Sequence, residues 1–339
     1  MRRFGRSCSA ISLTILLWLP LVAAQIAPKP PGTLVDLGGH RLHVNCAGRG
    51  SPTIVVENGL GDFSFDWILV QSRVSEFARI CTYDRAGYAW SDPGPKPRTF
   101  SQLNLELRDA LAKLGEDGPY VLVGHSYGGP VVRNFALTYP REVAGIVFVD
   151  SAFEGQRVGI GGRATMRLGE DAKGKPFPAP RESMSASDRP VISFEVAEQL
   201  KQFAGNLDPL YKALPPAEQK LQLWAQAQLP MYDAENSQRE WSSETFGLWL
   251  AKAQAGTLGS IPVMVLTRAE GGYREGATDI PAAQLETERK QGQAMLASLS
   301  TNSKQIFIMG GHNMELDSPQ SVVAAIEQMI GALRSDHKL

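Results

Sequence analysis

One serine lies between two glycines in the sequence Gly-His-Ser-Tyr-Gly, at residues 124–128. An apolar run at 120–123 precedes it, and a helical pattern begins at about Gly128. A strand, a sharp turn and a helix in this order expose a serine hydroxyl, and the glycines let the strand and the helix approach each other. We therefore predict that Ser126 is a nucleophile, held in a strained backbone conformation.

A serine hydroxyl is a weak nucleophile at neutral pH and needs a base beside it. The sequence has five histidines, and four of them lie in a predicted hairpin, in the serine turn or in the polar tail: His40, His43, His125 and His337. The remaining one, His312, lies between the last predicted strand and the last predicted helix. Its position fits the chain order serine, acid, histidine, so we predict that His312 is the base.

Three acidic residues are candidates for the group that orients His312. Asp150 follows an apolar strand pattern at 145–149, so it lies at the carboxyl edge of the predicted sheet, where active-site groups collect. Glu270 and Asp279 follow the next strand pattern, early and late in the same loop. An acid at the position of Asp150 can also serve only to cap a turn. The residues therefore favour Asp150 and leave Glu270 and Asp279 open.

Acyl transfer also requires two hydrogen-bond donors aimed at the developing oxyanion. The backbone N–H of Tyr127, at the start of the helix after the serine, is one predicted donor. The second is expected in the loop after the strand pattern at 53–56, where we choose the N–H of Leu60. Asn58 and Gly61 are its neighbours in this loop.

Alternating strand and helix patterns position these residues. The chain has 339 residues, of which 43% are hydrophobic, and it can bury a large core. Helical patterns separate most of the strand-like runs, which predicts a largely parallel sheet with helices on both faces. These runs lie at 33–37, 41–46, 53–56, 80–83, 120–123, 144–149, 263–267 and 305–309.

Residues 151–260 interrupt this alternation. The stretch begins rich in Gly, Arg and Pro, then becomes helical, and it has no strong strand pattern. We interpret it as an inserted cap between core segments at 33–150 and 261–335. Trp224, Trp241 and Trp249 are expected to form the core of the cap, and the alternative is an apolar lining that faces the substrate.

The first 24 residues have the features of a signal peptide. Three arginines precede an apolar run at 10–19, and a Val-Ala-Ala site follows at 22–24, which predicts cleavage near Ala24 and export to the periplasm or the outside. An uncleaved anchor is disfavoured because the run is shorter than the ~20 residues that span a bilayer. Residues 25–32 form a Pro-rich linker. The 34 basic and 35 acidic residues nearly balance, so neither nucleic acid nor a stable membrane association is expected.

Four segments resemble the α/β-hydrolase family: the serine turn, the loop at 57–61, residues 83–93 and the Gly-His pair at 311–312. Residues 83–93 resemble the Asp-Arg-x-Gly-x-x-x-Ser-Asp stretch of cap-bearing esterases, epoxide hydrolases and dehalogenases. Apart from the insertion, the resemblance runs from about residue 33 to residue 333. The nucleophile is an aspartate in the last two enzyme types and Ser126 here, which sets both activities aside.

The resemblance implies an α/β-hydrolase fold: a mostly parallel eight-stranded sheet with helices on both faces and a helical cap inserted after strand six. It also implies that the second strand runs beside the fourth, so Cys46 and Cys81 are either disulfide-bonded or two buried thiols. Some capped members carry the acid after strand six, which favours Asp150. The loop at 267–272 departs from the family pattern because it lacks an Asp at the usual position.

These residues together predict a serine hydrolase that cleaves a carboxylic ester through an acyl-enzyme. Amide, peptide or lactone hydrolysis would use the same triad, an acyltransferase would pass the acyl group to an alcohol, and a non-catalytic binding protein would keep only the fold. The mechanism needs no cofactor, and no Cys/His cluster has the spacing of a metal site. The expected partner is a small-molecule ester or a related acyl compound, while the residues predict no oligomeric state.

Overall fold

The computed structural model describes residues 27–160, 164–170, 205–252, 254–335 and 337–339. The predicted signal peptide at 1–24 lies outside the described residues, and so does a large part of the predicted cap. Within the described ranges, no helix is both long and apolar enough to cross a membrane.

An eight-stranded sheet forms the centre of the protein, with the strand order β1-β2-β4-β3-β5-β6-β9-β10. The pairs β1–β2 and β2–β4 are antiparallel, and the other neighbours are parallel, which confirms the predicted mostly parallel sheet. The strands are β1 Thr33–Asp36, β2 Arg41–Ala47, β3 Ile54–Glu57, β4 Ile80–Asp84, β5 Tyr120–His125, β6 Val143–Val149, β9 Val263–Arg268 and β10 Ser303–Ile308.

Helices cover both faces of the sheet, as predicted. They are α1 Ile68–Val74, α2 Phe100–Lys113, α3 Gly128–Thr138, α4 Pro216–Gln226, α5 Leu229–Leu250, α6 Ala282–Ser298, α7 Met314–Asp317 and α8 Pro319–Ser335. Short 3₁₀ helices lie at Ser64–Trp67, Pro140–Glu142 and Pro209–Ala213. Thr99 caps the start of α2, since its hydroxyl accepts a hydrogen bond from the Gln102 N–H at 3.1 Å.

The central strands are buried along their whole length, because helices cover both of their faces. Successive residues point to opposite faces: Leu122 and Phe148 pack against α2, α3 and α6, whereas Val121 and Val147 pack against α1 and α8. Two continuous cores therefore hold the sheet in place, and its carboxyl edge is a rigid base for side chains.

The insertion after β6 contains a short hairpin that the sequence analysis did not predict. Its strands, β7 Arg157–Ile160 and β8 Ala164–Arg167, form a separate two-stranded antiparallel sheet. Each strand has only four residues, of which two are apolar and not adjacent, so their sequence lacks the continuous run that marks a core strand.

Two of the three tryptophans in the insertion contact the core of the protein. The Trp224 ring lies 5.2 Å from the ring of Trp90, and the Trp249 ring lies 6.1 Å from that of Phe100 in α2. Both are packing residues between the insertion and the core. The side chain of Trp241 lies outside the described residues.

The flank formed by β1, β2 and β4 is crosslinked. Cys46 and Cys81 are directly opposite each other in the β2–β4 register and form a disulfide, so the alternative of two thiols was wrong. The predicted linker lies against this flank, because the Trp90 indole N–H donates to the Pro28 carbonyl at 2.7 Å and His43 Nε2–H donates to the Pro31 carbonyl.

Candidate active site

The turn between β5 and α3 holds Ser126 in the predicted strained conformation. Its φ angle is +48°, a left-handed value that is uncommon for a residue other than glycine. Backbone hydrogen bonds fix it there, since the Ser126 N–H donates to the Val149 carbonyl at 3.1 Å. A Cβ at Gly128 would overlap the carbonyl oxygens of Glu57 and Asn58, so only glycine lets α3 begin this close to β3.

His312 bridges Ser126 and Asp150. Its Nε2 lies 3.0 Å from Ser126 Oγ, and its Nδ1 lies 2.6 Å from Asp150 Oδ2. Both ring nitrogens are therefore engaged, and neither is left for Glu270 or Asp279, which are exposed on the loop after β9. Of the three acidic candidates, the structure places Asp150 in contact with the histidine.

The electrostatic surroundings favour a neutral His312 and an ionised Asp150. Desolvation of the His312 ring lowers its pKa, the neighbouring His125 lowers it further, and Asp150 only partly offsets these effects. Burial of Asp150 opposes its ionisation, but the hydrogen bond with His312 and the charge of Arg268 lower its pKa overall. Such a pair suits a general base whose ring is oriented by a carboxylate.

Asp150 is itself strained and contacts a charged residue that the sequence analysis missed. Its φ angle is +37°, and its N–H donates to the Leu266 carbonyl at 2.8 Å. Arg268, the last residue of β9, places its Nε 3.2 Å from Asp150 Oδ2. The only signal for this contact in the sequence is the position of Arg268 at the end of a core strand.

The two predicted oxyanion donors lie on neighbouring segments. The side chains of Leu60 and Tyr127 belong to one apolar cluster. Tyr127 directly precedes α3 and already has a helical backbone conformation, with φ −58°. In the described part of the chain, neither backbone N–H donates a hydrogen bond, so both are available to a ligand. The side chain of Asn58 is engaged elsewhere, since it donates to the Tyr83 carbonyl at 2.8 Å.

A family model described as "alpha/beta hydrolase fold" matches residues 52–181. The serine hydrolase of carbazole degradation called CarC superposes with a TM-score of 0.59 at 17% identity, covering 88% of this chain and 98% of that one. Epoxide hydrolase CorEH superposes with a TM-score of 0.56 at 17% identity, covering 89% and 98%. The chain has the α/β-hydrolase fold.

A longer curated protein is similar in sequence to part of this chain. "Probable transporter efuK" of Hormonema carpetanum is 38% identical over 129 residues, which are 36% of this chain and 18% of that protein. The chain thus spans about a fifth of the length of that relative. These comparisons identify the fold, and the chemistry has to be argued from the site.

Next to His312, at the carboxyl edge of the sheet, lies a buried polar cluster around His125. His125 Nδ1 is 3.1 Å from Asp62 Oδ2, and its Nε2 is 3.0 Å from the backbone carbonyl of His312. Glu315 of α7 places its Oε2 3.8 Å from the same Nε2. From the sequence, His125 is predicted only as part of the serine turn, because nothing in the sequence shows where Asp62 and Glu315 lie.

Three ligand-type atoms of Asp62, His125 and Glu315 lie within 4.8 Å of one another, a spacing that can suit a metal ion. Here, however, both nitrogens of His125 face hydrogen-bond acceptors, so the ring has no lone pair to offer, and we assign no metal ligand. Cys46 and Cys81 are disulfide-bonded and offer no thiolate.

Proposed function

We propose that this protein is a serine hydrolase that cleaves carboxylic esters through an acyl-enzyme. The observation that carries the proposal is the position of the His312 ring, with one nitrogen on Ser126 Oγ and the other on Asp150 Oδ2. A nucleophile, a base and an orienting acid linked in this order are what acyl transfer by serine requires.

Acylation begins when Ser126 Oγ attacks the ester carbonyl. The hydroxyl proton moves to His312 Nε2, and Asp150 keeps the ring in the tautomer with a proton on Nδ1 and stabilises the imidazolium. The C–O bond to the alcohol then breaks, and His312 gives its proton to the leaving oxygen. The alcohol departs, and the acyl group stays on Ser126.

Deacylation repeats these steps with water. His312 takes a proton from water, the hydroxide attacks the acyl carbon, and Ser126 leaves with a proton returned from His312. In both halves the carbonyl oxygen becomes negatively charged, and the backbone N–H groups of Leu60 and Tyr127 are the proposed donors to it. Amide, peptide or lactone substrates would follow the same steps.

We also propose that residues 151–260 form a cap over this site. Its helix α5 contacts the residue next to the nucleophile, since the Tyr127 hydroxyl donates to the Gln238 carbonyl at 3.2 Å. The neighbouring Ser237 accepts a hydrogen bond from the Arg98 N–H at 3.0 Å. A cap held this close to the nucleophile would shape the acyl or alcohol pocket.

We propose further that the protein is exported and that its signal peptide is cleaved near Ala24. The Cys46–Cys81 disulfide supports it, because such bonds persist in oxidising compartments. Mass spectrometry of the purified protein from periplasm and medium would test it, since a mature chain starting at Gln25 is expected.

Turnover of p-nitrophenyl esters by wild type and by Ser126→Ala tests the proposed function. We expect the variant to lose about 10⁴-fold or more in kcat, because the residual rate then comes only from the oxyanion donors and binding. A fluorophosphonate probe should label wild type at Ser126 alone.

The control is Ser72→Ala, since Ser72 is exposed on α1 and its hydroxyl donates to its own helix at 2.7 Å. Wild-type turnover by Ser126→Ala would refute the assignment of the nucleophile. Folded wild type that neither turns over any ester nor reacts with the probe would support the binding-protein alternative. Product partitioning between water and an added alcohol separates a hydrolase from an acyltransferase.

A further inference from the structure

We infer that His125 is a positioning residue: fixed by Asp62, its ring holds the backbone carbonyl of His312 and places a second imidazole beside the catalytic base. The inference rests on the proposed function only for its effect on turnover. Its structural part concerns the protonation and position of His312 and can be measured without any substrate.

The contacts of His125 leave its ring no freedom. The side chain is 1% exposed, with Nδ1 3.1 Å from Asp62 Oδ2 and Nε2 3.0 Å from the His312 carbonyl. The edge of Trp67 packs against it, with ring centroids 6.4 Å apart. A ring held at both nitrogens transmits its position to the loop that carries His312.

The acceptors around the ring determine its protons. A backbone carbonyl can only accept, so Nε2 must carry a proton. Nδ1 faces a carboxylate oxygen of Asp62, so one proton lies between these two atoms. An imidazolium is ordinarily a weaker acid than a carboxyl group, so we assign this proton to Nδ1. His125 is then a cation, and its ring centroid is 4.8 Å from that of His312.

Charged and titratable groups surround His125. Asp62 from the loop after β3, Glu315 from α7 and His312 interact with it directly, and Asp150 interacts with its charge. Asp66 from the 3₁₀ helix after that loop and Tyr211 interact in turn with Asp62 and Glu315. Burial alone would lower the pKa of His125, but Glu315 and Asp62 raise it to about 9. The same burial raises the pKa of Glu315 to about 7 and that of Asp66 well above its usual range.

Two consequences follow for His312. The hydrogen bond to its carbonyl fixes the loop and thereby the distance from Nε2 to Ser126 Oγ, on which proton transfer depends. The cationic ring of His125 opposes protonation of His312, so the catalytic base stays neutral, and therefore active, at lower pH than it otherwise would.

Three variants separate these consequences. His125→Leu removes both the donor and the charge. His125→Gln removes the charge and keeps an amide donor near the position of Nε2. Asp62→Asn also removes the charge, because its amide can donate to Nδ1 and leave a neutral ring that still donates to the His312 carbonyl.

The experiment measures kcat and KM of p-nitrophenyl ester hydrolysis from pH 5 to 9, together with an NMR titration of the His312 ring. In His125→Leu we expect kcat to fall about 10- to 100-fold, with KM changed less than about threefold, because the base is misplaced. In His125→Gln and Asp62→Asn, kcat should largely recover. Two values should rise by about 0.5 unit or more, as for unit charges about 5 Å apart: the apparent pKa of the acid limb of kcat/KM and the pKa of His312 measured by NMR.

The matched control is His43→Gln. His43 is a second buried histidine between a carboxylate, that of Asp84, and a backbone carbonyl, but it belongs to the β2–β4 flank. It should leave the acid limb and the pKa of His312 in place. Circular dichroism and thermal unfolding of every variant check the fold, and Asp62→Asn carries the test if His125→Leu fails to fold.

An unchanged acid limb and an unchanged pKa of His312 in both His125→Gln and Asp62→Asn would overturn the inference. So would wild-type kcat in folded His125→Leu. If wild type hydrolysed no ester, the proposed function would fail, while the NMR titration would still decide this inference.

Discussion

Two buried histidines have the same hydrogen-bond arrangement in different regions of the molecule. His43 places Nδ1 2.7 Å from Asp84 Oδ2 and donates from Nε2 to the Pro31 carbonyl. His125 places Nδ1 3.1 Å from Asp62 and donates from Nε2 to the His312 carbonyl. The hydrogen-bond arrangement is the same, and what differs is the segment to which the carbonyl belongs. It is an N-terminal segment for His43 and the loop that carries His312 for His125.

The surroundings of the two histidines differ in the groups that they carry. At the carboxyl edge, Ser126 and Asp150 both have positive φ angles, and a triad links them. The β2–β4 flank around His43 carries the Cys46–Cys81 disulfide and presents none of the predicted catalytic groups. Substitutions at the edge should therefore change activity more than stability, and substitutions at the flank should do the reverse.

Among the variants that test this comparison, Asp150→Asn is expected to have the largest effect, and the effect is on kcat. The amide can donate to Nδ1 of His312 and so favour the wrong tautomer, which should lower kcat about 10⁴-fold. Steady-state kinetics with a p-nitrophenyl ester measures it. Glu270→Gln is the control, because Glu270 is exposed and should keep nearly wild-type kcat. If Glu270→Gln lost more kcat than Asp150→Asn, Glu270 and not Asp150 would be the acid.

Replacing Cys46 and Cys81 together by serine should affect the flank alone. The disulfide closes a loop with a sequence separation of 35, so its loss should lower the free energy of unfolding by about 4 kcal/mol. Urea unfolding measures the loss, with kcat expected to stay within about twofold because the triad lies at the other region. A large loss of kcat in the folded double variant would show that the two regions are coupled.

His43→Gln should have the smallest effect, and one that depends on pH. Asp84 would keep its hydrogen bonds from Ser64 and lose the one from the charged His43, which should lower the free energy of unfolding by about 1–3 kcal/mol at neutral pH. The pKa of His43 is raised in the folded protein, so its contribution is fully present below about pH 6.5 and is lost as the pH rises through the folded value. Unfolding curves at pH 5.5 and 9 should show the larger loss at pH 5.5, and an equal loss at both would contradict the ion pair.

The sequence could predict the serine, the histidine and the sheet, because each leaves a local pattern. Ser126 follows an apolar strand and precedes a helix, and His312 remained after the other histidines were set aside. The position of Asp150 at the end of β6 favoured it as the acid over Glu270 and Asp279. Its contact with the ring of His312 is visible only in the structure.

Contacts between distant segments could not be predicted in this way. Arg268 reaches Asp150 because β9 pairs with β6 in a register that places Leu266 opposite Val149. The role of His125 depends on Asp62 and Glu315, which lie 63 and 190 positions away in the chain. A pattern of residue types specifies neither the register of two strands nor the contact of distant residues. The contacts of Arg268 and His125 were therefore not predicted.

The position of Trp90 has a practical consequence for observing this protein. Its indole donates to the Pro28 carbonyl, stacks near Trp224 of the insertion and lies 4.8 Å from the ring of His43. One fluorophore is thus shared by the N-terminal segment, the core and the insertion. The sequence has six tryptophans, so the difference between the emission of wild type and of Trp90→Phe reports on this ring. Loosening of any of the three segments would let water reach it and change that difference.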